Sequence, residues 1–339
     1  MKTTAHLLVI RFSALGDVAM TVPVIRNLLH QYPDVQVTML SDPFMEPMFR
    51  DIPRLQFIGA DTRKDFRGLA GLFRLSRRVA RAGKYTAIAD LHNVLRTKIL
   101  RAFFPFKRKA AIDKGRAEKK ELTRPNDKKL RQLKTSFERY ADVFRDLGFN
   151  IVLDTQQGFS PAFRSNDTPN KKIGIAPFAR HKAKMLSLDI TEELVWALSK
   201  NNGFDIYLFG SKQEAPLLRE WADKYRNIRV VAGTVTFDEE LKIISGLDAM
   251  MSMDSANMHL ASLYGVPVVS VWGGTHPYLG FYGWGQDPQN AVQTDLPCRP
   301  SSVFGNKACP VHGEAGCMQE ITSLMIYERL MSAIKTSQR

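Results

Sequence analysis

Short apolar runs alternate along this chain with stretches whose apolar positions recur every three or four residues. The first run, Leu7-Leu8-Val9-Ile10, is bounded by charge and predicts a buried parallel strand. After the turn Arg11-Phe12-Ser13-Ala14-Leu15-Gly16-Asp17, residues Val18, Val22, Ile25 and Leu29 keep helical spacing, with Pro23 early in the pattern. Val35 to Leu40, Leu55 to Ile58 and Thr86 to Asp90 repeat the strand signal. Between the last two, Phe66 to Ala82 sets Leu69, Leu72, Phe73 and Val79 on one face and Arg and Lys on the other. Phe137, Tyr140, Ala141, Phe144 and Leu147 predict a helix stopped by Gly148.

Gly158 to Asn170, polar and carrying Pro161 and Pro169, marks a linker. Beyond it, Lys172 to Ala176, Asp205 to Phe209, Ile228 to Val231, Ala249 to Ser252 and Val266 to Val271 predict strands. Helices are expected around Leu194 to Leu198, over Pro216 to Tyr225, and at the end over Ile321 to Ile334. The alternation predicts an α/β protein of two doubly wound, Rossmann-like domains facing a cleft, over residues 1–160 and 171–339. The last helix is free to pack back on the first domain. Phe106 to Leu130, charged and weakly periodic, breaks the rhythm and reads as an exposed loop region.

With 44% apolar residues and interspersed charge, the 339-residue chain is globular rather than disordered. No run approaches the roughly 18 apolar residues of a membrane span. The short apolar start does not read as a signal peptide, and three cysteines, an odd number, argue against a disulfide framework. A cytoplasmic protein is expected. The net charge of +14 is uneven: residues 1–150 carry +15 and residues 151–339 carry −1. Arg96 to Arg139 alone holds 16 basic and 5 acidic residues, which points to a polyanionic partner.

Candidate chemistry gathers at the carboxyl ends of predicted strands, where open α/β sheets bind ligands. Asp17 sits where a new helix exposes N–H groups, a position that also suits a simple cap. Pro177 to Lys184, with Arg180, Lys182 and Lys184, suits a diphosphate. Glu214, past Gly210, could accept from a ribose hydroxyl or base amine, or simply favour a helix start. Asp254-Ser255 are good N-cap types ahead of Ala256 and His259, and their N–H groups would form an anion site. The glycine pair in Trp272-Gly273-Gly274-Thr275-His276-Pro277 allows close backbone approach to a ligand.

Together these motifs resemble glycosyltransferase family 9, the ADP-heptose-dependent heptosyltransferases of lipopolysaccharide core assembly. The matching residues are Arg11 to Asp17 with Thr21 and Pro23, Asp90-Leu91 with Arg96-Thr97, Lys184, and Glu214 after Phe209-Gly210. Asp254-Ser255-Ala256, His259-Leu260-Ala261 and Gly265-Val266-Pro267 complete the set, so the resemblance spans nearly the whole chain. It implies a GT-B fold, with the acceptor on the first domain and the nucleotide sugar on the second. It further implies Asp17 as general base, Lys184 and Arg180 at the donor diphosphate, and Glu214 and Asp254 at the nucleoside. Ser255, Ala256 and His259 would line the diphosphate pocket. Ser13, Arg96, Lys107, Arg108 and Lys119 are the expected acceptor residues. Departures fall at Ala256, where the family favours Gly, at Met185-Leu186-Ser187 after the lysine, and at the Gly273 to Pro277 loop.

The expected reaction is an inverting, metal-independent sugar transfer from a nucleotide-diphospho-sugar, with no cofactor and no Asp-x-Asp motif to hold a bridging cation. The expected partners are that nucleotide sugar and an anionic glycolipid acceptor. Peripheral contact with an anionic inner-membrane surface is also expected, and no nucleic acid. Two alternatives stay open: a GT-B nucleotide-sugar epimerase, or a non-catalytic polyanion-binding protein. Cys298, Cys309 and Cys317, with His312, follow a Cys-x10-Cys-x2-His-x4-Cys spacing without a Cys-x2-Cys pair. The reading favoured is packed or free thiols in a loop over a zinc site.

Overall fold

A computed structural model describes residues 5–162, 169–314 and 316–336. The chain divides into two compact units, residues 1–114 with 135–160, and residues 115–134 with 161–339. The first unit opens with β1 (Ala5–Ile10), α1 (Leu15–Ala19), α2 (Thr21–Gln31), β2 (Val35–Ser41) and β3 (Leu55–Gly59). It continues with α3 (Gly68–Ala82), β4 (Ala87–Asp90), α4 (Leu95–Ala102) and β5 (Arg108–Ala111). After α5 (Arg116–Leu122), which belongs to the second unit, α6 (Ser136–Asp146) and α7 (Thr155–Gly158) complete it.

The five strands are all parallel in the order β3-β2-β1-β4-β5. Leu8, Ile10, Leu40, Ile88 and Leu100 are buried between this sheet and its helices, which explains the continuous apolar runs. The order reverses between β1 and β4, which leave the sheet at the paired positions Ile10 and Asp90. A crossover of this kind parts the connecting helices and opens a crevice at the strand ends. The single helix expected from Val18 to Leu29 is instead two, broken at Met20, three residues before Pro23.

The second unit runs β6 (Lys171–Ala176), α8 (Leu188–Ser199), β7 (Phe204–Leu208), α9 (Ala215–Lys224), β8 (Ile228–Val230) and α10 (Phe237–Ser245). Then follow β9 (Ala249–Met253), α11 (Ala256–Leu263), β10 (Val268–Val271), β11 (Ala291–Val292) and α12 (Ser323–Thr336). Its six parallel strands take the order β11-β10-β9-β6-β7-β8, so its crossover lies between β6 and β9. Helix α12 packs on α8, β9 and β10, with Ile326 and Leu330 buried in that core. Within the second unit, the C-terminal helix completes the cover of this sheet.

Three expectations need correction. Phe106 to Leu130 is not one exposed loop: it contains β5 and α5, and Leu122 and Leu133 are buried against Leu279. The sparse periodicity hid this because α5 buries little beyond its last turn. The charge imbalance also changes, since residues 115–134 go with the second unit. The first unit then carries 22 Lys+Arg against 13 Asp+Glu and the second 26 against 21, so both are basic. Lys119 is 6% exposed, its ammonium 4.1 Å from the Phe281 ring centroid within the second unit, so it is not a cation of an exposed stripe. The expected linker, Gly158 to Asn170, falls partly outside the described residues, at 163–168. Among the described residues no helix is long and apolar enough to cross a membrane.

Leu122→Ala should lower stability by about 2–4 kcal/mol in denaturant unfolding, the range for a buried leucine. A change below about 0.5 kcal/mol would mean that residues 115–134 are a solvated loop after all.

Candidate active site

In the first unit, Asp17 is the third residue of α1. Its carboxylate accepts from the Ala14 N–H at 3.2 Å, closing the helix start. The same oxygen, Oδ2, lies 2.8 Å from the Arg11 guanidinium, and a third of the side chain remains exposed. Arg11 is buried, bonds the Leu91 carbonyl at 2.6 Å and lies over the Tyr140 ring. Burial works against its charge, but Tyr140 and Asp17 outweigh it and move the Arg11 pKa up. The cap reading of Asp17 is thus correct as far as it goes, and leaves part of the carboxylate open. Ser13 is half-buried beside it.

The β4 end supplies the other wall of this crevice. Asp90 is fully buried, accepts from the N–H groups of His92 and Asn93, and pairs with Arg101 at 3.0 Å. His92 accepts from the Phe12 N–H, tying this loop to the Asp17 turn. Thr97 caps α4 by accepting from Val94, and Arg96 donates to Thr62. Lys107 and Arg108 are exposed at the entry to β5.

In the second unit the candidate residues gather at the β6–β9 crossover. Lys184, after β6, reaches Asp254, after β9, at 2.8 Å. Asp254 is 4% exposed and also accepts from the Thr275 hydroxyl at 2.7 Å, so Lys184, Asp254 and Thr275 form one connected group. Asp254 therefore already has its own lysine and Thr275 as partners. Ser255 is the N-cap of α11, but its hydroxyl bonds Ser252 and no side chain caps the helix. Its first-turn N–H groups, with Ala256 half-buried there, suit an anion. His259 is buried one turn on, and Arg180 is exposed on the lysine loop. Glu214, at the start of α9, accepts from the Ser211 N–H at 2.6 Å.

The glycine pair packs against the chain itself. A Cβ on Gly273 would lie 2.5 Å from the Ala183 carbonyl, and Gly274 donates its N–H to that carbonyl at 2.7 Å. The close approach seen is to the chain's own lysine loop. Arg299, unmarked in the sequence, locks the same loop by donating to the carbonyls of Trp272, Gly273 and Thr275. Burial draws its pKa down to about 10, so it stays charged near neutrality. The Cys/His tail holds together more tightly than expected of loop thiols: Cys298, Cys309, His312 and Cys317 bring their donor atoms within 4.8 Å of one another.

A profile of glycosyltransferase family 9 (heptosyltransferase) matches residues 72–312. The chain belongs to this family. Like "Lipooligosaccharide heptosyltransferase 2" of Campylobacter jejuni, to which it is 23% identical, this glycosyltransferase matches over 95% of its length and 96% of the relative's. A family 9 glycosyltransferase structure from Veillonella parvula superposes with a TM-score of 0.76 at 16% identity, covering 98% of both chains. The E. coli ADP-heptose lps heptosyltransferase II gives 0.71 at 17% identity, covering 98% of this chain and 100% of that one. The fold of this family 9 enzyme is accordingly GT-B.

His92 gives the enzyme's first domain a defined acid sensitivity. Burial, then the positive field of Arg11, lowers its pKa to about 3, against about 6.5 in an unfolded chain. Below about pH 6.5 the unfolded chain takes a proton that the folded chain refuses, so stability is complete above that pH and falls towards pH 3. Each pH unit in that window costs about 1.4 kcal/mol for this one group. His92→Asn keeps an acceptor for the Phe12 N–H and should flatten the decline measured by urea unfolding between pH 6.5 and 5. An unchanged slope would remove His92 as its source.

Proposed function

We propose that this enzyme transfers a heptose from ADP-heptose to the core of a lipopolysaccharide- or lipooligosaccharide-type glycolipid, with inversion at the anomeric carbon. The observation that carries the reading is the Lys184–Asp254–Thr275 group beside the uncapped α11 start. A nucleoside diphosphate needs such a cation and such N–H donors. Support for heptose comes from the relatives, one of which is named for ADP-heptose.

In this mechanism Lys184 and the α11 N–H groups take up charge as the diphosphate leaves, with Ser255, Ala256 and His259 around them and Arg180 at the rim. Asp254 orients Lys184 rather than touching the nucleoside, which Glu214 is left to contact. Asp17 accepts the proton of the acceptor hydroxyl, whose oxygen bonds the anomeric carbon as the bond to ADP breaks. One carboxylate suffices for this single displacement. Because Lys184 and helix N–H groups meet the diphosphate, no divalent cation is required there.

Ser13 and Arg96 line the acceptor side. Phe106 is 96% exposed beside the exposed Lys107, Arg108 and Lys109, a pairing of apolar and basic groups suited to the surface of an anionic membrane. This supports a glycolipid acceptor met at the inner face of the membrane by a cytoplasmic enzyme.

Asp17→Asn retains an acceptor for the Ala14 N–H, so fold and donor binding should persist while transfer drops by about 10²–10⁴-fold. Near wild-type turnover with ADP-heptose would refute the base. Lys184→Ala should weaken ADP-heptose binding by about 1.5–3 kcal/mol in calorimetry, the worth of a charge-assisted hydrogen bond. An unaltered dissociation constant, or transfer rates that rise steeply with added magnesium, would refute the diphosphate assignment.

A further inference from the structure

Outside the donor group, the second domain contains a compact set of soft ligands. Cys298, Cys309, His312 and Cys317 come from a loop, a tight hairpin and a short 3-10 turn between β11 and α12, and all three cysteines are free thiols. The Sγ atoms of Cys298 and Cys317 are 3.8 Å apart. His312 Nδ1 lies 3.3 Å from Cys298 Sγ and 3.9 Å from Cys309 Sγ. A tetrahedral zinc ion with bonds of about 2.3 Å to sulfur and about 2.05 Å to nitrogen has ligand-to-ligand edges of about 3.8 and 3.5 Å. These three spacings lie near the edges of such a cage, and all four ligand atoms fall within 4.8 Å of one another.

The backbone is shaped for the same purpose. Cys309-Pro310-Val311-His312-Gly313 is a tight knuckle, a Cys-x2-His in place of the usual Cys-x2-Cys. Cys309 and Gly313 exchange N–H to carbonyl bonds of 2.9 Å each, and Gly313 has φ +74°, a left-handed conformation suited to glycine. The N–H groups of Val311 and His312 donate to the Cys309 sulfur. Lys128 anchors its ammonium on the Cys298 and Pro300 carbonyls at 2.7 and 3.0 Å, placing a positive charge beside the sulfurs. Three thiolates, one neutral imidazole and a divalent ion sum to a single negative charge, which Lys128 balances. Simple thiol packing accounts for none of this, since Cys298 and His312 are only half-buried and bring polar atoms together.

We propose that Cys298, Cys309, Cys317 and His312 Nδ1 bind one structural zinc ion in the second domain. Four protein ligands close the tetrahedron, so the ion has no open position for substrate and serves as a clip. What it clips is the 298–302 segment, whose Arg299 and Ser301 bond the Gly273 and Gly274 carbonyls.

The test uses the full chain purified without chelator and analysed for metals by plasma mass spectrometry. About one zinc per chain is expected, with His312→Cys keeping it and Cys317→Ser losing most of it. Because Cys317→Ser could disturb folding, the wild-type chain is also exchanged with cobalt, which should give the intense visible bands of tetrahedral cobalt–thiolate coordination. Stripping the ion with a strong chelator should lower the melting temperature, and zinc alone should restore it. A folded chain without stoichiometric metal or cobalt–thiolate bands would overturn the site. Stoichiometric iron in place of zinc would overturn the assignment of the ion.

Discussion

The Ala183 carbonyl is the point on which the second domain's chemistry depends. Gly274 donates to it, and Gly273 passes so close that no side chain fits between. The loop after β6 and the loop after β10 thereby become one body, although nearly ninety residues separate them. Lys184 follows directly on that contact, and Thr275 follows directly on Gly274, so both reach Asp254 from fixed backbones. Gly305, at φ +72°, closes over the Lys184 stem from the other side, where a Cβ would lie 2.5 Å from its Cγ. The stem of Lys184 is thus fixed by its neighbours while its ammonium meets Asp254, a preorganised charge of the kind the proposed reaction needs.

The first domain reaches a similar result by other means. There the buried Arg11 spans the β1–β4 crossover, bonding the Leu91 carbonyl on one side and Asp17 on the other. His92 repeats the link through the Phe12 N–H. In each sheet the central residues, Asp17 and Asp90 or Lys184 and Asp254, lie at the ends of the two strands flanking the change of order, β1 and β4 or β6 and β9. That common placement follows from the topology, since only at a crossover do the helices part enough to expose strand ends.

Much of this was legible in the sequence because buried parallel strands write continuous apolar runs, as at Leu7 to Ile10 and Ala249 to Ser252. Asp17, Lys184 and Asp254 were legible because each follows such a run. Other features left no local trace. α5 buries mainly its C-terminal end, so no periodicity marks it. Lys119 looked like any surface cation, and only tertiary packing sets it on Phe281. Gly273 and Gly274 were recognised as a close approach, but a glycine pair does not say what approaches. Arg299 was invisible because its partners are carbonyls, which every residue carries. The Cys309 to His312 pair was passed over because a histidine stands where a second cysteine would be sought.

The pairing of Lys184 with Asp254 has a consequence for which molecules can enter. At rest the ammonium already has a carboxylate partner at 2.8 Å, so an arriving anion competes with an internal rival instead of filling a vacancy. A singly charged anion offers Lys184 no more than Asp254 already does. A diphosphate carries more charge and can engage the α11 N–H groups at the same time, and so can draw the ammonium across. Asp254 is not stranded by the exchange, since the Thr275 hydroxyl still donates to it. On the proposed donor role, the internal ion pair sets an affinity threshold that a sugar nucleotide clears and the smaller anions of the surrounding solution do not.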